Sequence, residues 1–563
     1  MMRNFPNTSA GLKPSINDAA SKLQVALVLE SAEQPAWLYS MVERVRGLPF
    51  AEICLVIYDR SEPSPKPHRR GSLWRLCQGL DKRLFGKGPD PLRPRDLGAL
   101  LTDVPVYELG LRGAVSADAT LAAKGLDVII HLGWNRPHSA LFDAARYGVW
   151  GHTFGTTKAT APGDVGLREL VEREPLAVTT LTRFTQDGCD QAIYSSYSRT
   201  IPFSPRKNRD NMYRKSAAFA ARKLRDIYHG TEAATPKDEV PQKMVSDLKI
   251  MPRRHLNKLP PAARLGAEIL RRTGQKLAYL DQWFVAYKFG VDPGLPTGFS
   301  GFTPMFPPKD RFWADPFPIQ RDGRYFVFLE ELMFETNKGH ISVVELSEGG
   351  GRKAPVKVLE REYHMSYPFL FEWQGELFML PETGHNRTVE VYRCHHFPDD
   401  WRLEKVLLKD VNCADATLAQ IGDRWWMFVN ISEEGTELYD ELHLYHADQP
   451  FGEWIPHLSN PVKSDARSAR PAGNLFWWLG ELYRPAQCCV PLYGSALSIN
   501  KVERINAGEF IEQEVAHFTA DWRPGLLGLH TFNRAGGLSV IDGFKRTPRF
   551  EFSKSKLRTV ETP

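Results

Sequence analysis

An α/β domain followed by an all-β five-bladed propeller is the fold class that this sequence predicts. Three observations carry the prediction: buried apolar runs alternating with helical stretches at the start, a fivefold hairpin repeat in the C-terminal half, and a basic helical segment between them. At 563 residues the chain exceeds one ordinary core, and a soft prior of roughly 150 residues per domain allows about two to four units.

The α/β domain is expected over residues 23–201, after a flexible N-terminus at 1–22. LQVALVLES from Leu23 is a buried apolar run, Ala36–Val45 reads as a helix, and AEICLVIYD is a second buried run. Residues 61–95, rich in Pro, Gly, Lys and Arg, read as a long surface loop. LDVIIHLG, a helix near Ser139–Tyr147, GVWGHTFG, PLAVTTLTRF and QAIYSSYS then continue an open parallel sheet.

Residues 202–281 turn helical and strongly basic, as in RKNRDNMYRKSAAFAARKLRDIYHG. Apolar positions such as Ala218, Phe219 and Leu224 recur there at near-helical spacing. A solvated linker is the plain reading; the alternative is contact with an anionic partner such as a nucleotide-sugar, a lipid phosphate or a membrane surface.

The propeller is expected over residues 282–545, with a tail at 546–563. Its copies read ADPFPIQRDGRYFVFLEE, SYPFLFEWQGELFMLPET, DATLAQIGDRWWMFVN, ARPAGNLFWWLGELYRPAQ and LHTFNRAGGLSVIDG. Their first key residues, Asp315, Tyr367, Asp415, Arg470 and His530, are spaced by 52, 48, 55 and 60, about one four-stranded blade each. Each copy is a hairpin turning at a glycine: Gly323, Gly375, Gly422, Gly480 and Gly536. QWFVAYKF precedes the first copy and is expected to pair with the chain's end, closing the ring and removing its edges.

Composition narrows the function classes. Hydrophobic residues at 42% and charged residues at 25% mark a folded chain, and a net charge of +5 is too small for a dedicated nucleic-acid binder. The seven cysteines show no CxxC spacing, so neither a disulfide framework nor a metal site is expected. The first twenty residues lack the apolar core of a signal peptide and no later run reaches the ~20 apolar residues of a spanning helix. The expected location is cytoplasmic, at most peripheral to the inner face of a membrane.

Innermost propeller strands face one channel, so equivalent repeat positions converge. The polar set Asp315, Tyr367, Asp415, Arg470 and His530 is joined by strand-end groups including Glu330, Glu331, Glu382, Asn430, Arg484 and Gln487. Paired carboxylates across a cleft are the machinery of glycoside chemistry, which makes Asp315 and Asp415 catalytic candidates. Glu331, Tyr367, Glu382, Arg470, Arg484 and His530 are candidate substrate contacts, and Trp313 could supply an apolar face to a sugar ring. The structural alternative is that the two aspartates cap turns and that Glu331 pairs with Arg470 or Arg484.

FWADPFPIQRDGRYFVFLEE resembles the first blade of arabinanase- and xylosidase-type propeller glycosidases, and that resemblance implies a general-base role for Asp315. The series ADPF, SYPF, DATL, RPAG with YRPAQ, and LHT is more closely similar to the propeller of the glucosamine inositolphosphorylceramide transferase N-terminal domain family. Arg470 stands where the glycosidases supply an acidic proton donor.

LDVIIHLGWNRPHSALFDAARYGVWGHTFG with LAVTTLTRFTQDGCDQAIYSSYS is similar to the N-terminal domain of folate-dependent formyltransferases. That resemblance implies a formyltransferase-like sheet, a catalytic His152 with Asp187 as its partner, and 10-formyltetrahydrofolate as the cofactor. The family's Asn two residues before the His is replaced by Trp150. Gly151 and Gly155 with Thr153, Thr156 and Thr157 could cradle an anion, though they match no phosphate-loop spacing.

Two functions stand as expectations. One is a transferase of cell-surface glycan or glycolipid biosynthesis, moving a formyl, acyl or glycosyl group to a carbohydrate or glycolipid acceptor held by the propeller. The other is a non-catalytic glycan-binding or scaffold protein, or a propeller glycoside hydrolase.

Overall fold

The computed structural model describes residues 21–59, 72–86, 88–109, 121, 124–155, 161–231, 260–290 and 294–549. The expected N-terminal and C-terminal tails fall almost wholly outside the described residues, as do Thr156 and Thr157.

The N-terminal sheet is built from β1 (Leu23–Leu29), β3 (Ala51–Asp59), β5 (Val106–Leu109), β6 (Val128–His131), β7 (Val149–Phe154), β8 (Leu176–Phe184) and β9 (Gln191–Arg199). A small antiparallel ribbon, β2 (Glu33–Pro35) with β4 (Pro94–Asp96), lies beside it. The strand order is β5-β3-β1-β6-β7-β8-β9. Pairings are parallel from β5 to β7 and antiparallel from β7 to β9, so the expected open parallel sheet is a mixed one. The tight segment after Phe184 returns the chain directly, and such a short connection can join only antiparallel neighbours.

Alternation along β1 feeds two cores. Val25, Leu27 and Leu29 pack under the helices Ala36–Arg46, Pro205–Ser216 and Phe219–His229, while Ala26 and Val28 face Leu121, Leu126 and Leu141 on the other side. The first half of the expected linker is therefore part of the α/β core: Met212, Tyr213, Phe219 and Leu224 are fully buried in it. Helix Pro205–Ser216 starts cleanly, with Ser204 accepting from the Lys207 N–H and Pro205 at its first turn. The expected surface loop at 61–95 contains a helix, Ser72–Phe85. Its Asp81 is buried, accepting from Ser204 Oγ at 2.6 Å and from the Arg206 N–H at 2.8 Å.

Five blades follow. The first four take their inner hairpins from Arg311–Arg321 with Arg324–Met333, Ser366–Trp373 with Glu376–Thr383, Cys413–Ile421 with Arg424–Ile431, and Phe476–Trp478 with Glu481–Cys488. The fifth combines Phe532–Ala535 and Leu538–Pro548 with Tyr279–Phe289 and Thr303–Met305. Tyr279–Phe289 pairs along its whole length with Phe289 opposite Leu538 and Tyr279 opposite Pro548, so the ring closes as expected. All five turn glycines have positive φ, between 55° and 80°. Asp322–Gly323, Gln374–Gly375 and Leu479–Gly480 have both turn residues left-handed, the two-residue geometry that matches strand twist.

Candidate functional site

One irregularity, used three times, points side chains into the channel. In the first three blades the inner strand carries one extra residue, between Ala314 and Phe317, Ser366 and Phe369, and Ala414 and Thr417. At each bulge the key residue is left-handed: Asp315 (φ 50°), Tyr367 (φ 47°) and Asp415 (φ 55°). A bulge re-aims a side chain, and non-glycine residues hold this backbone region only where their surroundings enforce it. On the partner strands Glu330, Glu382 and Asn430 occupy the equivalent rung, opposite Ala314, Ser366 and Ala414.

The channel mouth is charged, paired and nearly dry. Asp315, Tyr367, Asp415, Arg470 and His530 are each 7% exposed or less. Arg470 donates to Asp415 through Nε (2.5 Å) and Nη2 (3.2 Å), to Glu382 (3.2 Å) and to the Leu438 carbonyl (3.2 Å). Gln487 adds a bond to Asp415 at 2.5 Å. Tyr367 Oη accepts from the Gly473 N–H at 2.7 Å and lies 2.8 Å from Thr417 Oγ1. His530 sits between two carboxylates, Nδ1 at 2.6 Å from Asp542 and Nε2 at 3.4 Å from Asp315. Thr531 Oγ1 also donates to Asp315, at 2.8 Å.

Burial and neighbours move these protonation equilibria. Burial, aided by Asp415, Glu330 and Asp542 and opposed by His530, pushes the Asp315 carboxyl up to about 7. Burial and the Asp415 charge raise Glu382 well above the carboxylate range despite Arg470. Burial disfavours the His530 imidazolium, but Asp542 and Asp315 outweigh it and hold its pKa up at about 9. The mouth thus sets Glu382, whose proton burial favours, and the arginine-paired Asp415 beside a histidine whose charged form its two aspartates favour. Asn430 is fully buried on the same rung, and neither of its amide atoms has a hydrogen-bond partner among the described residues.

Three expected contacts point elsewhere. Glu331 neighbours Glu330 and so faces the opposite side of its strand, where it bonds Arg311, Trp313 Nε1, His340 and Ser342. Against its burial, these bonds hold Glu331 below the usual carboxylate range. Trp313 is buried in a core between blades, with its indole N–H spent on Glu331 at 3.1 Å, and offers no face to a ring in the channel. Arg484 is three residues from Gln487, again the opposite face, and bonds Glu512 and the Ser468 carbonyl inside its blade. Asp542 lies on the second strand of the fifth hairpin, the strand that carries Glu330, Glu382, Asn430 and Gln487 in the other blades, and the sequence reading passed over it.

The α/β domain sits on this mouth. Lys215 pairs with Asp440 at 2.9 Å, and Arg222 with Glu441 at 2.8 Å and Glu433 at 3.0 Å, at the loop that ends the second strand of blade three. The basic helices are therefore not a solvated face; Lys215 and Arg222 are buried against propeller carboxylates. Tyr439 joins the two halves, its ring 4.5 Å from the Arg199 guanidinium and 5.9 Å from that of Arg470.

His152 and Asp187 are not brought together. His152 lies opposite Leu181 and Phe184 opposite Val149, so Asp187 stands beyond the far end of β8, at least about 10 Å along the strand. His152 Nε2 is 3.0 Å from the Ser216 carbonyl and edge-on to Trp37, and burial lowers its pKa to about 4. Asp187 closes an exposed turn, accepting from Thr185 Oγ1 and the Cys189 N–H. The geometry supplies no His–Asp pair, and formyl transfer through these residues is not retained.

With this geometry in view, comparison with known proteins locates the chain. Residues 304–525 match the family model described as glucosamine inositolphosphorylceramide transferase 1, N-terminal. That match lies wholly within the propeller. A curated protein named glucosamine inositolphosphorylceramide transferase 1 from Oryza sativa subsp. japonica is 35% identical over 208 residues, covering 36% of this chain and 28% of the rice protein. Its namesake from Arabidopsis thaliana is 31% identical over 207 residues, covering 36% of this chain and 27% of that one. The chain thus spans under a third of the length of these curated relatives. Among solved structures, the catalytic domain of Coprinopsis cinerea GH62 alpha-L-arabinofuranosidase overlaps at TM-score 0.32 and 11% identity, covering 47% of this chain and 96% of that one. An exo-1,5-alpha-L-arabinanase from a bovine ruminal metagenomic library overlaps at TM-score 0.31 and 13% identity, covering 43% and 95%. Overlaps this loose say nothing about activity.

Proposed function

We propose that the chain takes part in glycosyl transfer to a glycan or glycolipid acceptor, with the propeller mouth binding the acceptor's sugar. The observation that carries this reading is convergence: Asp315, Tyr367, Glu382, Asp415, Asn430 and Arg470 meet in one mouth, and all fall within the segment shared with proteins named as glycolipid transferases. A sugar hydroxyl both donates and accepts, and the mouth sets the donors Arg470 and His530 beside the carboxyl groups of Asp315, Glu382 and Asp415. The lipid part of an acceptor would meet helix Ser72–Phe85, where Leu76, Leu80 and Leu84 are 52–61% exposed at helical spacing among Arg75, Lys82 and Arg83.

The test is calorimetric titration of the full chain with a panel of glycolipid headgroup oligosaccharides, beside a sugar-transfer assay on glycolipid extracts. Binding that weakens about ten- to hundred-fold in Asp315→Asn supports the reading. Equal affinity in that variant and wild type overturns it. A second reading, glycoside hydrolysis, is favoured by the two buried carboxyl groups of Glu382 and Asp415, on adjacent blades and bridged by Arg470, with burial raising the Glu382 pKa in the direction a general acid requires. Release of aryl aglycone from chromogenic glycosides, abolished in Glu382→Gln, would select it.

A further inference from the structure

The α/β domain holds one loop of the propeller through paired charges. Residues 432–440 join the strands Arg424–Ile431 and Glu441–Ala447 of blade three. Glu433 takes Arg44 at 2.8 Å and Arg222 at 3.0 Å, Glu437 takes Arg199 at 3.2 Å, and Asp440 takes Lys215 at 2.9 Å. The Glu437 N–H also donates to Asn211 Oδ1 at 3.0 Å. Three helices and strand β9 of the α/β domain therefore fix a loop that belongs to the other domain.

That loop reaches the mouth. Its Leu438 carbonyl accepts from Arg470 Nη1 at 3.2 Å, and its Tyr439 ring lies 5.9 Å from the Arg470 guanidinium and 4.5 Å from that of Arg199. Tyr493, in the loop after strand Glu481–Cys488, packs 5.7 Å from Tyr439 and 5.0 Å from the Arg470 guanidinium. A second route runs along the chain into Arg470. Strand β9, the edge of the seven-stranded sheet, accepts at its Tyr197 carbonyl from the Ala466 N–H at 2.8 Å, and Ser196 Oγ accepts from Ser464 Oγ at 2.8 Å.

Arg470 has a donor to spare. Its Nε and Nη2 are spent on Asp415 and Glu382, but Nη1 carries two N–H groups and has one acceptor among the described residues, the Leu438 carbonyl. A guanidinium keeps its donors in a rigid planar fork, so the carbonyl that holds one Nη1 hydrogen also aims the other. The position of that carbonyl is set from the α/β domain.

Within this grip Arg199 is placed to adjust the mouth without holding up the fold. Its side chain is 18% exposed and that of Glu437 29%, so the pair adds little stability, whereas Lys215–Asp440 and Arg222–Glu441 are buried. We propose that Arg199 is a positioning residue for the mouth: by pairing with Glu437 and stacking on Tyr439, it holds Arg470 so that the spare N–H donates to an oxygen of the bound ligand.

The identity of that ligand rests on the glycan reading of the mouth, so one arm of the experiment uses no ligand. Hydrogen–deuterium exchange of the full chain is compared between wild type and Arg199→Ala. Peptides covering 433–441 and 464–473 should exchange about three-fold faster or more in the variant, with strand Lys338–Leu346 of blade one unchanged. In the second arm, calorimetric titration with the headgroup oligosaccharides, Arg199→Ala should weaken binding about three- to ten-fold while melting with wild type. Arg199→Lys keeps a charge opposite Glu437 and should recover most of that loss. In an Arg470→Lys background Arg199→Ala should have no further effect, because its action passes through the Arg470 fork. Arg46→Ala, which breaks a surface pair with Asp103 inside the α/β domain, is the control and should move neither readout. Unchanged exchange at 464–473 in Arg199→Ala, affinity equal to wild type, or losses from Arg199→Ala and Arg470→Lys that simply add would each overturn the assignment. A wild type that binds none of the oligosaccharides would overturn the glycan reading instead, and the exchange arm then decides the positioning by itself.

Discussion

Arg470 and Asp415, 55 residues apart in sequence and on adjacent blades, meet in a two-point ion pair at the channel mouth, Nε to Oδ2 at 2.5 Å and Nη2 to Oδ1 at 3.2 Å. The same guanidinium reaches Glu382, so one cation answers two buried carboxyl groups. Removing it leaves Asp415 buried without its ion-pair partner. Arg470→Ala is expected to cost about 3–5 kcal/mol, and Arg470→Ala with Asp415→Asn clearly less than the single change. Urea unfolding of the three chains measures the difference.

Tyr367 ties its own blade to the next two through its hydroxyl, which meets Thr417 and the Gly473 N–H. In Tyr367→Phe the ring remains, but the buried Gly473 N–H loses its acceptor, with an expected cost of about 1–3 kcal/mol. Because Tyr367 is left-handed, Tyr367→Gly should recover some backbone strain while losing the packing, and should still be the less stable variant. Thermal melts of both, against wild type, check the order.

Stability should fall as pH rises through the range of His530. Its folded pKa of about 9 exceeds its ordinary 6.5, so the contribution is complete below 6.5 and lost as pH climbs through 9. Asp315, raised to about 7 from an ordinary 3.8, acts in the same direction at lower pH. The urea midpoint of wild type is expected to drop between pH 6.5 and 9, and that of His530→Gln to drop less.

The two domains should unfold as one unit only while their buried pairs persist. Arg222→Met or Lys215→Met leaves Glu441 or Asp440 buried without its partner, which typically costs about 3–5 kcal/mol. A single calorimetric transition in wild type, dividing into two in the double variant, is the expected outcome.

Vesicle co-sedimentation tests the leucine stripe. Full-length protein is expected to bind vesicles containing anionic phospholipid more than purely zwitterionic ones, and Leu76→Gln with Leu80→Gln and Leu84→Gln to reduce that binding at least about ten-fold. Equal binding by the triple variant refutes the lipid-facing role.

The repeat was legible because five glycine turns and five key residues recur at blade length, and the closing strand because a lone apolar run precedes the first copy. Facing was less legible. A bulge adds one residue and resets alternation, so which of Ala314, Asp315 and Pro316 enters the channel depends on a backbone irregularity that the residue pattern does not announce. Lys215 and Arg222 read as solvent-facing charges since their partners lie more than 200 residues away.

The seam between the domains also sets a timetable for biosynthesis. Arg222 emerges from the ribosome 219 residues before Glu441, an interval of roughly ten to forty seconds at about 5–20 residues per second. The helices carrying Lys215 and Arg222 can fold onto the α/β sheet during that time, but their cations wait for carboxylates not yet made. Ring closure comes later still, when Leu538–Pro548 finds Tyr279–Phe289. Each nascent chain therefore carries, for that interval, a basic face and an open sheet edge that the finished protein hides, and crowding of translating ribosomes is where this protein is most exposed to misassembly.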